Sequence, residues 1–129
     1  MRVLLLVHRF AVGGTEVMVY HLARRLRAAG VDVAIGCLDA VDELGHRLKS
    51  EGFEVELYGR RRGFDPRVSW RIARHVRRRS IDVVHAHQYT CFFYAALAKL
   101  LTGAPLVFTE HGRFYPDLPS RKRRLFNRL

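Results

Sequence analysis

Apolar and polar positions along the chain fall into blocks, and each block has the length of one structural element. Residues 3–7 form a continuous apolar run, the pattern of a strand buried on both faces. Residues 16–29 switch to helical spacing, with Met18, Leu22 and Leu26 on one stripe and Val19 and Ala23 beside it. Thr15 is the expected N-cap of this helix and Gly30 its stop. Residues 31–38 read as a second strand and 41–50 as a second helix, closed by Glu51-Gly52. Residues 53–58 alternate Phe53, Val55 and Leu57 with Glu54 and Glu56, which suits an edge strand. A basic loop covers 59–65. Pro66 then opens a third helix, whose stripe is Val68, Ile72 and Val76 and which runs through Arg79. Residues 81–86 are a fourth strand, 88–101 a mostly apolar helix expected to pack on both sides, and 106–109 a fifth strand after the turn Thr102-Gly103-Ala104-Pro105.

Strands alternating with helices predict an α/β fold with a doubly wound, Rossmann-like parallel sheet. The expected strand order is 3-2-1-4-5. The chain reverses its winding between strands 1 and 4, so the ligand crevice belongs beside the loops that follow them. At 129 residues this is a single domain, 1–129. It stops just after a helix pattern, where a doubly wound fold usually continues, so we expect an amino-terminal portion of a longer protein. An unfinished sheet leaves an edge open to pairing, which predicts dimers or higher species.

Composition narrows this picture. Hydrophobic residues make up 49% and charged residues 27%, enough apolar material for a core. No apolar stretch has the length needed to span a bilayer. The amino-terminal run resembles a signal peptide, yet it stops at His8-Arg9 with no small-residue cleavage site after it, so we read it as a strand and expect a cytoplasmic location. Cys37 and Cys91 lie inside apolar segments and are expected as buried thiols.

The net charge of +11 is uneven: residues 1–59 carry seven Lys/Arg against eight Asp/Glu, and residues 60–129 carry 16 against four. A neutral half beside a basic half points to an anionic partner for one face. Arg60, Arg61 and Arg62 lie in a loop; Arg71, Arg74, Arg77, Arg78 and Arg79 cover the helix after it; and Arg121, Lys122, Arg123 and Arg124 precede Leu125, Phe126 and Leu129. Basic side chains beside apolar ones suit anionic lipid headgroups, with a solvated helix face as the alternative for the helix. Nucleic acid fits less well, because the aromatics do not interleave with the basic residues as a stacking platform requires.

Three loops carry chemistry. Gly13-Gly14, between the first strand and helix, lets the backbone turn and approach a ligand. The helix start behind it offers N–H groups and a positive dipole end to phosphate. This is neither a full dinucleotide fingerprint nor a Walker loop. Glu16 complements the helix dipole or accepts from a sugar hydroxyl. His85 and His87 end the fourth strand with their imidazoles on the same side of the chain; sugar or phosphate hydrogen bonding and a structural role both remain open, and no third ligand marks them as a metal pair. Thr109-Glu110-His111-Gly112-Arg113 follows the fifth strand. There His111 can exchange a proton or hydrogen-bond an alcohol or phosphate, and Arg113 can clamp an anion.

Together, Gly13-Gly14-Thr15-Glu16, Asp82-Val83-Val84-His85-Ala86-His87 and Thr109-Glu110-His111-Gly112-Arg113 resemble the amino-terminal half of bacterial family 4 glycosyltransferases, over essentially the whole chain. The resemblance implies a two-domain GT-B enzyme, of which this is the acceptor-side Rossmann-like domain. It implies transfer of a sugar from a nucleotide-sugar to a lipid-linked or saccharide acceptor with retention, no metal or other cofactor, and work at the cytoplasmic face of a membrane. It places Gly13 and Gly14 by the donor phosphates and His111 by the reacting centre. Glu16, His85, His87, Glu110 and Arg113 fall around the acceptor. The family's donor-binding residues lie mostly in a second, carboxyl-terminal domain, so this chain alone is expected to transfer little or nothing. A partner domain or self-association would complete it. The readings that compete with an enzyme are a binding module for an anionic sugar, nucleotide or lipid headgroup, and a basic interaction domain.

Overall fold

The computed structural model describes residues 1–10 and 12–110. They form β1 (Arg2–Arg9), α1 (Gly14–Ala28), β2 (Asp32–Ala40), α2 (Asp42–Ser50), β3 (Glu54–Leu57), α3 (Pro66–Arg78), β4 (Val83–His87), α4 (Tyr89–Thr102) and β5 (Leu106–Thr109). The five strands make one sheet in the order β3-β2-β1-β4-β5. All four pairings are parallel, with Leu5 opposite Ile35 on one side and His85 on the other. This is the expected doubly wound architecture.

The continuous apolar runs exist because helices cover both faces of the sheet. On one face Val3, Leu5 and Val7 of β1 join Val33, Ile35 and Cys37 of β2 against Val19, Tyr20 and Ala23 of α1 and Leu44 and Leu48 of α2. On the other, Leu4, Leu6, Leu38, Val84 and Ala86 meet Val68, Ile72 and Val76 of α3 and Cys91, Phe92 and Ala95 of α4. Burying each large apolar side chain contributes roughly 1.5–3 kcal/mol, so β1, with Leu4, Leu5 and Leu6 all fully buried, anchors both layers. Cys37 and Cys91 are buried free thiols, and burial pushes the Cys37 thiol up to about 12.

Three local expectations need correction. Helix α1 starts at Gly14 with Gly13 as its N-cap, so Thr15 lies inside the first turn. Strand β3 does not simply turn its acids to solvent: Phe53 is buried, but Leu57 is exposed, and Glu54 and Glu56 reach toward α3. Helix α4 packs on the sheet and α3 along most of its length, yet Leu100 and Leu101 at its end are exposed. The start of α3 follows the sequence closely: Pro66 occupies the first turn, and the Asp65 carboxylate accepts from the Arg67 backbone N–H.

Candidate functional site

The winding reverses between β1 and β4, and the candidate residues gather at the carboxyl ends of these strands. His85 aligns with Val107 of β5 and His87 with Thr109. The two imidazoles lie on the same side of the chain, ring centroids 4.1 Å apart. His87 is fully buried, whereas His85 is half-buried with Nε2 2.8 Å from Thr109 Oγ1. By register both fall on the face of the sheet that α1 covers, with Leu5 and Val7. The next residue, Gln88, has φ 74° and ψ 157°, a conformation that costs a non-glycine residue about 1–3 kcal/mol. It is held from both sides: its N–H donates to the Thr109 carbonyl and its carbonyl accepts from Phe92 N–H.

The glycine loop follows β1, the neighbour of β4, at the same end of the sheet. Gly13 is extended, a conformation open to any residue, and its carbonyl accepts from Val17 N–H at 2.9 Å. Its absent side chain matters for another reason: a Cβ there would meet Glu16 Oε2 at 2.5 Å, because the carboxylate folds back over the loop. Nothing would meet a Cβ at Gly14 within 4 Å. No side chain caps the start of α1, so its first N–H groups are available to a ligand oxygen. Burial raises the Cys91 thiol in the first turn of α4.

A second cluster at the same end of the sheet had no sequence signal. The β1–β2 register shifts between Val7 and Arg9, where two residues of β2 oppose His8. His8 Nε2 lies 2.6 Å from Asp39 Oδ2. Arg60, from the loop after β3, donates to Asp39 twice, at 2.8 and 2.9 Å. Arg60 also lies under Tyr94, whose hydroxyl accepts from the Asp65 backbone N–H. Arg60 therefore turns inward, while Arg61 and Arg62 stay exposed. The Arg60 hydrogen bonds hold the Asp39 carboxyl below its ordinary value, against the opposing effect of burial. Arg9 does the same to Asp42, and Arg67 with the Arg61 N–H to Asp65.

These depressed carboxyls set an acid dependence. A group whose folded value lies below its unfolded value stabilises the fold above the unfolded value, and that stability disappears as pH falls through the folded one. Thermal unfolding is therefore expected to be flat from neutral pH down to about 5 and to fall steeply below about 4, near the unfolded aspartate value. Asp39→Asn should start lower at pH 7 and lose less on acidification. Melting curves from pH 2 to 7 check both; an Asp39→Asn curve parallel to the parent would contradict this account.

At the opposite edge of the sheet, Glu54, Glu56 and His75 offer ligand atoms within 4.8 Å of one another. Arg79 and Arg78 already pair with the two carboxylates, at 2.9 and 2.8 Å. We read the cluster as a clasp: fully buried His75 contacts Glu54, Glu56 and the Tyr58 hydroxyl, fastening α3 to the edge strand.

Among the sequence candidates, then, Gly13, Gly14, Glu16, His85 and His87 share the carboxyl end, and Glu110 is exposed just past β5. His111, Arg113, Arg121, Lys122, Arg123 and Arg124 lie outside the described residues. The site combines N–H groups open to a phosphate with imidazole and carboxylate groups suited to sugar hydroxyls. Residues 12–129 match the family profile of Glycosyltransferase Family 4. The chain belongs to this family.

Two curated relatives are GDP-mannose:cellobiosyl-diphosphopolyprenol alpha-mannosyltransferases. The protein of Xanthomonas oryzae pv. oryzae is 37% identical over 123 residues, and that of Xanthomonas campestris 32% over 124. In both cases the match covers 89% of this chain and 32% of the relative, so the chain spans about a third of their length. Among solved structures, MurG of Acinetobacter baumannii superposes with a TM-score of 0.71 at 15% identity, over 98% of this chain and 38% of that one. A glycosyltransferase of Rickettsia africae gives 0.68 at 20% identity, over 91% and 31%. The fold also matches UDP-GlcNAc 2-epimerase of Neisseria meningitidis, with a TM-score of 0.66 at 16% identity. At these identities the structures show the fold alone.

Proposed function

We propose that this chain is the acceptor-side domain of a retaining glycosyltransferase that moves a sugar, in the first instance mannose, from a nucleotide-sugar to a diphosphate-lipid-linked saccharide. The observation that carries the reading is the 37% identity to a mannosyltransferase named for that donor and acceptor, across 89% of the chain. The geometry supports it. The open approach at Gly14 and the uncapped start of α1 suit donor phosphate oxygens. In this reading Glu16 and His85 hydrogen-bond hydroxyls of the acceptor sugar, and buried His87 packs against His85. Glu110, His111 and Arg113 follow β5 in the sequence, and we assign them to the acceptor and the reacting centre. The sugar has to leave a nucleoside diphosphate, whose developing charge needs concentrated donors or cations at the leaving oxygens. One glycine loop does not supply them, so we assign that role to a second domain and expect no transfer by this chain alone. A lipid-linked acceptor also places the work at a membrane surface.

The test joins residues 1–129 to the carboxyl-terminal part of the Xanthomonas oryzae enzyme, replacing the matching segment. The joined protein is expected to transfer mannose from GDP-mannose to cellobiosyl-diphosphopolyprenol and to give the α-linked product, with the chain alone silent. A folded joined protein that transfers neither mannose nor any sugar from a panel of nucleotide-sugars to bacterial lipid extracts overturns the proposal. Transfer by the isolated chain overturns its dependence on a second domain.

A further inference from the structure

We infer that the outer face of α3, with Trp70 at its centre, docks on an anionic bilayer surface. The helix is divided sharply. Val68, Ile72, Ala73 and Val76 are buried in the core, while Arg67, Trp70, Arg74, Arg77 and Arg78 are exposed. Spacings of three and four residues put these five on one stripe. No acidic residue occurs from 66 to 81. Carboxylates from outside the helix reach only part of it: Asp65 meets Arg67, Glu56 meets Arg78 and Glu54 meets Arg79. Arg71 and Arg77 donate to the main-chain carbonyls of Tyr58 and Leu101, and Arg74 stands over the Trp70 ring at 5.5 Å. Among the described residues these three charges meet no carboxylate; Arg74 and Arg77 are exposed on the stripe, and Arg71 is half-buried beside it.

The aromatic content of the face selects the occupant. Trp70 is 56% exposed, Phe64 at the head of the helix 62% and Leu57 on the neighbouring edge strand 48%. Hollows of about 470 and 270 Å³ flank Trp70, the first lined by Ala73, Arg74, Arg77 and Arg78 and the second by Leu57, Arg71, Arg74, Arg78 and Glu56, whose carboxylate is paired with Arg78. An indole with guanidinium groups on both sides is suited to the headgroup level of a membrane, where the ring enters the apolar boundary and the cations meet lipid phosphates. A nucleic-acid strand would call for successive stacking rings, and this convex stripe carries one. The loop at 59–65 that leads into α3 lies at the crevice end of the sheet, pinned through Arg60 and Asp65. The head of the docking face thus lies at the crevice end of the sheet, and its last turn, at Arg78 and Arg79, at the amino end beside Arg2. The inference rests on the surface itself and survives a failure of the transfer reading.

The protein contains one tryptophan, so its fluorescence reports directly on this face. The probes are vesicles of phosphatidylcholine alone and vesicles with about a third phosphatidylglycerol, at about 0.1 M salt. The chain is expected to float with the anionic vesicles only, with a blue-shifted Trp70 emission that brominated lipids quench. Trp70→Ala and Arg74→Glu/Arg77→Glu should each weaken partitioning at least tenfold while circular dichroism stays unchanged. The control Arg25→Glu/Arg47→Glu makes the same change in net charge on α1 and α2 and should stay within twofold. Three results would each overturn the proposal: flotation without a Trp70 shift, an equal loss in the control, or a 20-base DNA strand that binds as tightly and shifts Trp70 as far.

Discussion

Gly36→Ala is expected to lower the melting temperature by about 10 °C, although it adds a single methyl group. Gly36 lies in β2, between Ile35 and Cys37, opposite Leu6 and Glu56. Its backbone is not in the left-handed region, so alanine fits the local conformation. The obstacle is Tyr58, which is fully buried; a Cβ on Gly36 would lie 2.6 Å from its Cε2 and its hydroxyl oxygen. The ring has no free direction of retreat, because its hydroxyl is 2.7 Å from His75 Nδ1 and His75 is itself fully buried beside Glu54 and Glu56. Overpacking a core costs about 1–3 kcal/mol, and breaking a buried hydrogen bond costs about 1–3 kcal/mol more. A loss near 3 kcal/mol shifts the midpoint of a domain this size by about 10 °C. Thermal unfolding followed by circular dichroism gives the answer. Tyr58→Leu removes the far half of the ring, so the double variant Gly36→Ala/Tyr58→Leu should lose less than the two single losses together. An unchanged melting point for Gly36→Ala would mean that Tyr58 does not occupy this position.

That contact shows where sequence reading stops. The apolar run of β1 and the helical stripe of α3 are one-dimensional patterns that reflect burial directly, so the order of elements and the sheet topology were legible from them. The apolar run at 106–109 coincides with the span of β5. Contacts made by register are not patterns. His8 and Asp39 meet only because parallel pairing and a shift at the end of β1 bring them together. His75 lies one position off the apolar stripe, among arginines, and the pattern alone does not single it out. What buries it is β3, whose two glutamates looked like the wet side of an edge strand. A parallel sheet with helices on both faces has no wet side there, so the acids are neutralised by His75, Arg78 and Arg79 instead. The start of α1 failed for a similar reason. Thr15 has the chemistry of a cap, but Glu16 folds back over Gly13, and the helix begins at Gly14, two residues earlier than a threonine cap would set it.

His111→Ala, made in the joined enzyme, is expected to reduce kcat about a thousandfold with little change in the KM for the donor. The motif that carries this histidine starts from a fixed point: Thr109 ends β5 with its hydroxyl 2.8 Å from His85 Nε2 and its carbonyl accepting from Gln88 N–H. A positioned imidazole that donates to, or exchanges a proton with, a reacting group contributes typically about 10²–10⁴-fold, and an interaction made mainly in the transition state acts on kcat. His85→Ala should behave differently. If His85 binds an acceptor hydroxyl, its loss removes one hydrogen bond of about 1–3 kcal/mol. That would raise the KM for the acceptor roughly ten- to hundredfold and leave the donor KM alone. Thr109→Val separates anchoring from binding: it keeps the His85 imidazole but frees it from β5, so it should lower kcat through His111 as well as weaken the acceptor. If both histidine variants shift only the melting temperature, with kcat and both KM values retained, then the imidazoles are structural and the crevice residues proposed here do not handle the sugar. If His85→Ala instead matches His111→Ala in kcat, then the reacting centre lies nearer β4 than β5, and Glu16 becomes the next residue to replace.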